Sequence, residues 1–196
     1  LLVVGVGIGT YVKKNQPDIF EYEIAKYGTG IFCKELPVDD LCVATENVLS
    51  ETFELEGDFH SVALFSPNSS TVLYANNIHE RIYPASTTKI LTAYVALKYG
   101  NLEDYVTISK TAVDVPSDSS TAHLQVGDVL SLEDLLYALM LPSGNDSAVA
   151  IAEHISGDVE TFVDLMNEEA KQLGASNTHF VNPHGYQNKD HYTTAY

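Results

Sequence analysis

The sequence has few basic residues. Among its 196 residues, Lys and Arg together number 10, against 27 Asp and Glu, which gives a formal net charge of −17. Proteins that bind nucleic acid need a basic surface against the phosphate backbone, so we expect no nucleic-acid partner. The remaining composition, 45% hydrophobic and 19% charged, is that of a globular protein with a sizeable core.

Cysteine is also scarce. The two cysteines, Cys33 and Cys42, do not form a Cys-x-x-Cys pair, which weakens an interpretation as a zinc ribbon or a thioredoxin-like protein. A disulfide between them would suit an exported protein, and two free thiols in a loop-rich segment would fit the sequence equally well. Both alternatives stay open.

No apolar run near the start is long enough to span a bilayer. Residues 1–12 are uncharged and mostly apolar, whereas a spanning helix needs about 20 such residues. We interpret them as the remnant of a signal peptide or membrane anchor, with a buried strand as the alternative. Residues 13–59 are acidic with poor apolar periodicity, which indicates a linker or arm. We expect the domain that follows, residues 60–196, to continue past Tyr196.

From residue 60 onward the pattern predicts a few short strands and several helices. Apolar runs at 61–65 and 71–75 flank a turn cluster, Pro67–Ser70, and indicate a hairpin. A third strand is predicted over 105–108, and residues 111–125 look irregular. Four helices are predicted from apolar periodicity and from helix start and stop signals, over about 84–98, 131–141, 145–155 and 158–173.

The first chemical motif is a serine and a lysine at the start of the first helix. Ser86 and Lys89 are three positions apart, so their side chains are neighbours on one helix face. A serine hydroxyl needs a base to act as a nucleophile, and a lysine in apolar surroundings loses its proton more readily. The backbone N–H of Ser86, near a helix N-terminus, is free to stabilise an oxyanion. Ser-x-x-Lys alone is common and most often marks an ordinary exposed helix start.

The second motif is a Ser-Gly-Asn turn between two helices. Ser143 could relay a proton there, and Asn145 could hydrogen-bond a substrate amide. By itself such a triplet is typical of a turn. Its occurrence 57 positions after Ser86, between two helices, is the pattern of penicillin-recognising serine acyl-transferases.

The two motifs and several further segments resemble one known family, the low-molecular-mass penicillin-binding proteins, or serine-type D-alanyl-D-alanine carboxypeptidases. The similar segments, spread over roughly residues 60 to 196, are Tyr83–Lys89, Gly127–Asp128 leading into Leu135–Leu139, Ser143–Asp146 with Ala148, Met166–Asn167, and Thr178–Gly185. The resemblance implies an α+β fold of the β-lactamase/transpeptidase type, with helices packed on an antiparallel sheet, incomplete here at its C-terminus.

The resemblance also implies a function. Ser86 would attack the carbonyl between the two terminal D-alanines of a peptidoglycan stem peptide and form an acyl-enzyme. Lys89 would act as general base, Ser143 as proton relay, and Asn145 would hold the substrate's amide. β-Lactams would acylate Ser86, and no metal or cofactor is needed. We therefore expect an exported, extracytoplasmic bacterial enzyme that is associated with the membrane surface through terminal segments outside this sequence.

One departure from the family pattern bears on activity. The third family motif, Lys-Thr-Gly or Lys-Ser-Gly, binds the substrate carboxylate, and the sequence does not contain it. Two alternatives to the carboxypeptidase therefore remain. One is a non-catalytic penicillin-binding-like scaffold. The other is a serine β-lactamase, which is disfavoured because no Glu-x-x-Leu-Asn segment follows Asn145.

A histidine-rich stretch near the end invites a metal interpretation. His179, His184 and His191 lie close together in the sequence, beside Asp190. Their spacing fits no common structural zinc pattern. We therefore predict no metal site there and place the stretch in a loop near the cleft, as the family resemblance implies.

Overall fold

The computed structural model describes residues 47–49, 57–66 and 71–196, all within the unit Leu41–Tyr196. The predictions for residues 1–12, for Cys33 and Cys42, and for the turn cluster Pro67–Ser70 lie outside the described residues.

The predicted hairpin is present. Strand β1 (Val62–Ser66) pairs antiparallel with β2 (Thr71–Asn76), and Val62 lies opposite Asn76. The register shifts between Leu64 and Phe65. Ala75 and Ile78 form a small core beneath the hairpin with partly buried Ala63, Val72 and Ala195. Val48 pairs with Ala75 in an isolated bridge, which adds a residue of the predicted arm to this sheet.

The first predicted helix begins with a tighter turn. Residues Ala85–Thr87 form a 3-10 turn that leads directly into helix α1 (Thr88–Tyr99). Pro84 lies at the start, where a missing N–H costs nothing, and Gly100 ends the helix. The predicted helix over 84–98 is therefore confirmed, with a first turn that is 3-10 and not α-helical.

The sequence predicts only one of the two strands in the second antiparallel pair. Strand β3 (Tyr105–Thr107) pairs with β4 (Val129–Ser131), which the sequence analysis did not identify. A four-residue helix, α2 (Lys110–Val113), overlaps the start of the stretch 111–125 that is predicted to be irregular, and Ser109 caps it by accepting the Ala112 N–H at 2.9 Å. Elements of three or four residues are too short to show hydrophobic periodicity, and this explains both errors.

The remaining three helices follow their predicted start and stop signals. They are α3 (Leu132–Met140), α4 (Asn145–Ser156) and α5 (Val159–Gln172). Ser131 caps α3 by accepting the Asp134 N–H at 3.0 Å, and its hydroxyl donates to the Asp134 Oδ2 at 2.7 Å. Asp158 caps α5 in the same way through the Thr161 N–H at 2.7 Å.

Helix α4 runs through the centre of the main core. Its residues from Asn145 to Ala152 are all buried, and it contacts α1, α2, α3, α5 and β3. The most deeply buried apolar side chains of this core are Val95, Ile108, Leu132, Leu135, Leu139, Ile151, Phe162 and Met166. Helices thus pack mostly on other helices, while the sheets within residues 57–196 have two strands each. None of the helices that the structure describes is both long and apolar enough to cross a membrane.

Candidate active site

The predicted serine and lysine lie together at the start of α1. Ser86 is the middle residue of the 3-10 turn, and the Lys89 Nζ lies 3.3 Å from the Ser86 Oγ. The turn is held by Thr87, whose hydroxyl donates to the Pro84 carbonyl at 2.6 Å. Ala85, directly before the serine, has a φ of 48°. This left-handed conformation costs a non-glycine residue about 1–2 kcal/mol, and strain of this kind clusters at functional sites.

Lys89 is buried and has two further partners. Only 2% of the residue is exposed, and its Nζ donates to the Asn145 Oδ1 and to the His184 carbonyl oxygen, each at 2.7 Å. Both of these oxygens can only accept hydrogen bonds. A neutral amine has two N–H bonds and one lone pair, so these two contacts direct the lone pair of neutral Lys89 toward the Ser86 hydroxyl. The geometry therefore suits removal of the serine proton.

Burial makes the neutral form of Lys89 accessible. Loss of solvation lowers the pKa of Lys89 from 10.5 to about 8, and the negative charge of Asp146 partly opposes this shift. At pH 7 a pKa of about 8 leaves about a tenth of the lysine neutral, compared with about one part in three thousand at the ordinary value. The pKa of Lys89 is thus lowered in the direction expected from its apolar surroundings, and its role as a base stays a prediction.

Asn145 is positioned by the first turn of α4. Its backbone N–H donates to the Ser120 carbonyl at 2.9 Å, and 4% of the residue is exposed. The side-chain oxygen is occupied by Lys89, which leaves the amide nitrogen as the atom that could donate to a substrate carbonyl. Asn145 is thus joined directly to the serine–lysine pair.

Ser143 is placed differently from the other predicted site residues. It is half-buried, it has a φ of 60°, and its hydroxyl makes no hydrogen bond to any residue that the structure describes. The structure brings Ser86, Lys89 and Asn145 into one hydrogen-bonded group, and among the described residues no hydrogen bond joins Ser143 to it. The strained backbone of Ser143 lies in the turn directly before Gly144 and Asn145.

A backbone carbonyl contributes to the site in a way that the sequence analysis missed. His184 accepts from Lys89 through its main-chain oxygen, and the next residue, Gly185, has a φ of 85°. A Cβ atom at Gly185 would overlap the carbonyl group of Ala85, so only glycine allows this approach to the serine turn. Asn182 shapes the turn by accepting the His184 and Gly185 N–H groups at 3.3 and 2.7 Å. The glycine in Asn-Pro-His-Gly was the one available signal.

The clustered histidines are part of this packing. His191 is 1% exposed, accepts the Val181 N–H at 3.2 Å through Nδ1, and contacts the Thr88 hydroxyl at 2.8 Å through Nε2. Burial lowers the pKa of His191 to about 4 and, with the nearby charge of Lys89, that of His184 to about 4. Among the described residues, no group of three or more His, Cys, Asp or Glu is arranged to hold a metal ion.

Comparison with known proteins connects this geometry to a family. The family described as D-alanyl-D-alanine carboxypeptidase matches residues 50–196. The D-alanyl-D-alanine carboxypeptidase DacA of Haemophilus influenzae is 43% identical over 139 residues, which cover 67% of this chain and 35% of that protein. DacF of Bacillus subtilis, named as the same type of enzyme, is 39% identical over 150 residues, covering 74% of this chain and 38% of that protein.

A solved structure agrees with these sequence matches. Penicillin-binding protein 5 from Haemophilus influenzae superimposes with a TM-score of 0.60 at 43% identity, covering 64% of this chain and 38% of that one. The likeness confirms the predicted family resemblance and the α+β, transpeptidase-like fold. The chain spans less than two fifths of the length of each of these three relatives.

Proposed function

The chain belongs to the D-alanyl-D-alanine carboxypeptidase family, and from this membership and the site geometry we propose that its protein is a serine carboxypeptidase that trims peptidoglycan. Its substrate is a stem peptide that ends in two D-alanines. The observation that carries the proposal is the contact between the buried Lys89 Nζ and the Ser86 Oγ at 3.3 Å. A buried amine with a lowered pKa beside a hydroxyl is the arrangement that activates a serine nucleophile.

The first step forms an acyl-enzyme. Lys89 takes the proton of Ser86, and the Ser86 Oγ attacks the carbonyl carbon of the bond between the two D-alanines. The backbone N–H of Ser86 supports the negative charge that develops on the carbonyl oxygen. Protonated Lys89 returns its proton through Ser143 to the leaving nitrogen, the C–N bond breaks and free D-alanine departs, which leaves Lys89 neutral and the Ser143 hydroxyl intact. Asn145 holds the substrate through its amide nitrogen, because its oxygen is bound to Lys89.

The second step releases the shortened peptide. A water molecule gives a proton to neutral Lys89 and attacks the ester carbonyl, after which the Ser86 Oγ leaves and takes that proton from Lys89. β-Lactams follow the first step only, since opening of their ring keeps the leaving nitrogen attached to the acyl group. We therefore also propose that penicillins acylate Ser86 and are released slowly.

In the proposed enzyme, this chain supplies only part of the protein. We propose that residues 60–196 are the serine half of the catalytic domain, residues 13–59 an acidic arm and residues 1–12 the remnant of an export segment. A peptidoglycan substrate places the enzyme outside the cytoplasmic membrane of a bacterium, at the membrane surface. The Lys-Thr-Gly or Lys-Ser-Gly strand that binds the substrate carboxylate in the family would come from sequence other than these 196 residues.

Covalent labelling tests the proposal. The protein that contains this chain should be labelled by a fluorescent penicillin and should release D-alanine from a peptide that ends in D-Ala-D-Ala. Ser86→Ala should abolish both, because it removes the nucleophile. Ser176→Ala, a change at an exposed serine away from the site, should alter neither.

Two results would contradict the carboxypeptidase. If the unmodified protein takes up no penicillin label and releases no D-alanine, a non-catalytic penicillin-binding-like scaffold is the better description. If penicillin is turned over rapidly and no acyl-enzyme accumulates, the protein is a serine β-lactamase. Mass spectrometry of the labelled peptide, which should contain Ser86, distinguishes specific acylation from surface labelling.

A further inference from the structure

Asp146, the second residue of α4, is a buried carboxylate with only backbone partners. It is 2% exposed. Its Oδ1 accepts the N–H groups of Ala122 at 2.8 Å and Ser147 at 2.9 Å, and its Oδ2 accepts those of Ala122 at 3.1 Å and Leu124 at 3.0 Å. Because both oxygens accept from donors, the pattern suits the ionised carboxylate. No lysine or arginine lies within ion-pair distance of it in the described part of the chain.

Through these bonds Asp146 holds residues 118–124, which we call the flanking segment. The same segment touches the candidate site at two other points. The Ser120 carbonyl accepts the Asn145 N–H at 2.9 Å, and Asp118 accepts the Tyr186 hydroxyl at 2.9 Å. Asp146 therefore supplies the central attachment of a segment that lies against the second motif and is also joined to the loop after His184.

Gly144 shows how closely the flanking segment is packed. A Cβ atom added to Gly144 would lie 3.1 Å from the Ala122 Cβ and 2.9 Å from the Asp146 Oδ1. Both distances are shorter than ordinary van der Waals contact. The flanking segment, Asp146 and the Ser-Gly-Asn turn therefore form one tightly packed unit, and loss of the Asp146 bonds would free the segment next to Asn145.

The charge of Asp146 also reaches Lys89. Of the effects on the pKa of Lys89, burial is the larger and lowers it, while the Asp146 carboxylate raises it. The same residue thus anchors the surroundings of Asn145 by hydrogen bonds and favours the protonated lysine through space. Neither contribution was evident from the Ser-Gly-Asn-Asp sequence.

We propose that Asp146 is the positioning residue of the serine–lysine site: its buried carboxylate fixes the flanking segment against Asn145 and adds a negative charge to the surroundings of Lys89. The inference deepens the proposed function and rests on it for its catalytic meaning. Asp146 itself touches neither Ser86 nor Lys89 by hydrogen bond, so it acts through Asn145, the flanking segment and its charge.

Between about pH 5.5 and 9, the neighbouring histidines do not change charge, so the pKa of Lys89 should respond to the charge of Asp146 and not to theirs. His184 faces Lys89 from the C-terminal loop, and His191 contacts Thr88 beside it. Each has a pKa lowered to about 4, so both stay neutral over this interval. Removal of the Asp146 charge should therefore lower the pKa of Lys89, and no neighbouring histidine should offset the change.

The test uses Asp146→Asn in the protein that contains this chain, with Asp158→Asn as the matched control. Asp158 is also a carboxylate that accepts a backbone N–H at a helix start, from Thr161, but it is exposed. Two readouts do not require activity. One is amide hydrogen exchange at Ala122 and Leu124. The other is NMR titration of Lys89 after [¹³C]lysine labelling, with the signal assigned by Lys89→Arg.

In Asp146→Asn we expect faster exchange at Leu124, because the new amide group cannot accept at both positions. We also expect the titration midpoint of Lys89 to fall by about 0.5–1 pH unit, and the acidic limb of the penicillin acylation rate to fall with it. Asp158→Asn, whose amide oxygen can still accept the Thr161 N–H, should leave both the exchange at Leu124 and the Lys89 midpoint unchanged. An unchanged Lys89 midpoint in Asp146→Asn, or unchanged exchange at Leu124, overturns the inference.

A second variant covers the case in which Asp146→Asn does not fold. Asp146→Glu keeps the charge and displaces the carboxylate by one methylene, so exchange at Leu124 should rise while the Lys89 midpoint stays in place. A moved midpoint in this variant would contradict the assigned role of the charge. Absence of acylation in the unmodified protein would refute the proposed function, whereas the exchange and NMR readouts would still decide the inference about Asp146.

Discussion

At the scale of single residues, the proposed chemistry depends on the proton of Lys89. Its three partners, the Ser86 hydroxyl, the Asn145 side-chain oxygen and the His184 carbonyl, would satisfy all three N–H bonds of an ammonium group. Burial favours the neutral amine and the charge of Asp146 favours the protonated one, which leaves the pKa of Lys89 at about 8. The lysine is thus held in a fixed geometry in both protonation states, which suits a group that must accept and return a proton.

This balance predicts the pH dependence of acylation. Because only neutral Lys89 can take the Ser86 proton, the acylation rate should rise about tenfold per pH unit below pH 8 and level off above it. Stopped-flow measurement of penicillin acylation checks this profile. Lys89→Arg keeps the positive charge but cannot lose its proton, so it should slow acylation by about 10²–10⁴-fold at every pH. An inflection near pH 6.5 would instead point to a histidine as the base.

Sequence alone identified most of the residues in this group, for a local reason. Ser86 and Lys89 are one helical turn apart, so their contact follows from helix geometry. Asn145 was found because its motif is distinctive. The carbonyl of His184 could not be found in this way, because every residue has a carbonyl and only the path of the chain decides which one meets the lysine.

At the scale of elements, the loop that carries His184 must approach the serine turn closely. Gly185 permits this approach, because any Cβ atom there would overlap the carbonyl group of Ala85. Thr92 adds a second attachment by donating its hydroxyl proton to the Pro183 carbonyl at 2.6 Å. The loop and α1 therefore form one interlocked unit around the nucleophile.

Two glycine substitutions separate this steric effect from backbone strain. Gly185 and Gly174 have φ values of 85° and 86°, but a Cβ atom at Gly174 would meet nothing within 4 Å. Both Gly185→Ala and Gly174→Ala should destabilise the protein by about 1 kcal/mol or more, because alanine is strained at positive φ. Only Gly185→Ala should also slow acylation, by about 100-fold, since displaced catalytic groups lose rate steeply.

Urea denaturation and acylation kinetics on the two variants check this prediction. An acylation rate in Gly185→Ala equal to that of the unmodified protein would show that the close approach of Gly185 to Ala85 does not position the nucleophile. A similar loss of rate in Gly174→Ala would show that general destabilisation, and not the local overlap, controls the rate.

The elements also show where prediction from sequence succeeds. The starts of α3 and α5 were predicted because Ser131 and Asp158 accept N–H groups three residues ahead, an interaction contained in a few consecutive residues. Strand β4 was missed because a three-residue strand exists only through its pairing with β3. The short helix α2 was missed because four residues show no periodicity.

At the scale of the whole molecule, burial of the two histidines near the site should make the fold sensitive to acid. The folded state keeps His184 and His191 neutral down to about pH 4, whereas the unfolded chain protonates each near pH 6.5. The unfolded state therefore binds more protons between these values. The free energy of unfolding should fall as the pH drops from 6.5 to 4, by up to about 1.4 kcal/mol per pH unit for each histidine.

Urea denaturation between these pH values measures the slope. His191→Asn, which cannot be protonated, should give a protein of lower stability whose pH slope is about half as steep. His60→Gln, a change at an exposed histidine, should keep the full slope. A slope that is identical in all three proteins would show that carboxylates, and not these histidines, cause the acid sensitivity.

By itself, the sequence determined the acidic character of the chain, the hairpin, the four main helices with the caps of α3 and α5, and the Ser86–Lys89 and Ser143–Asn145 motifs that identify the family. All of these depend on residues that are near one another in the chain, where composition, spacing and capping chemistry act directly. Only the tertiary structure decided which distant groups meet: the His184 carbonyl on Lys89, Gly185 against Ala85, and Asp146 on the flanking segment. Such contacts bring together groups more than twenty residues apart. They form because the helices must share one buried core, and no local pattern records that packing.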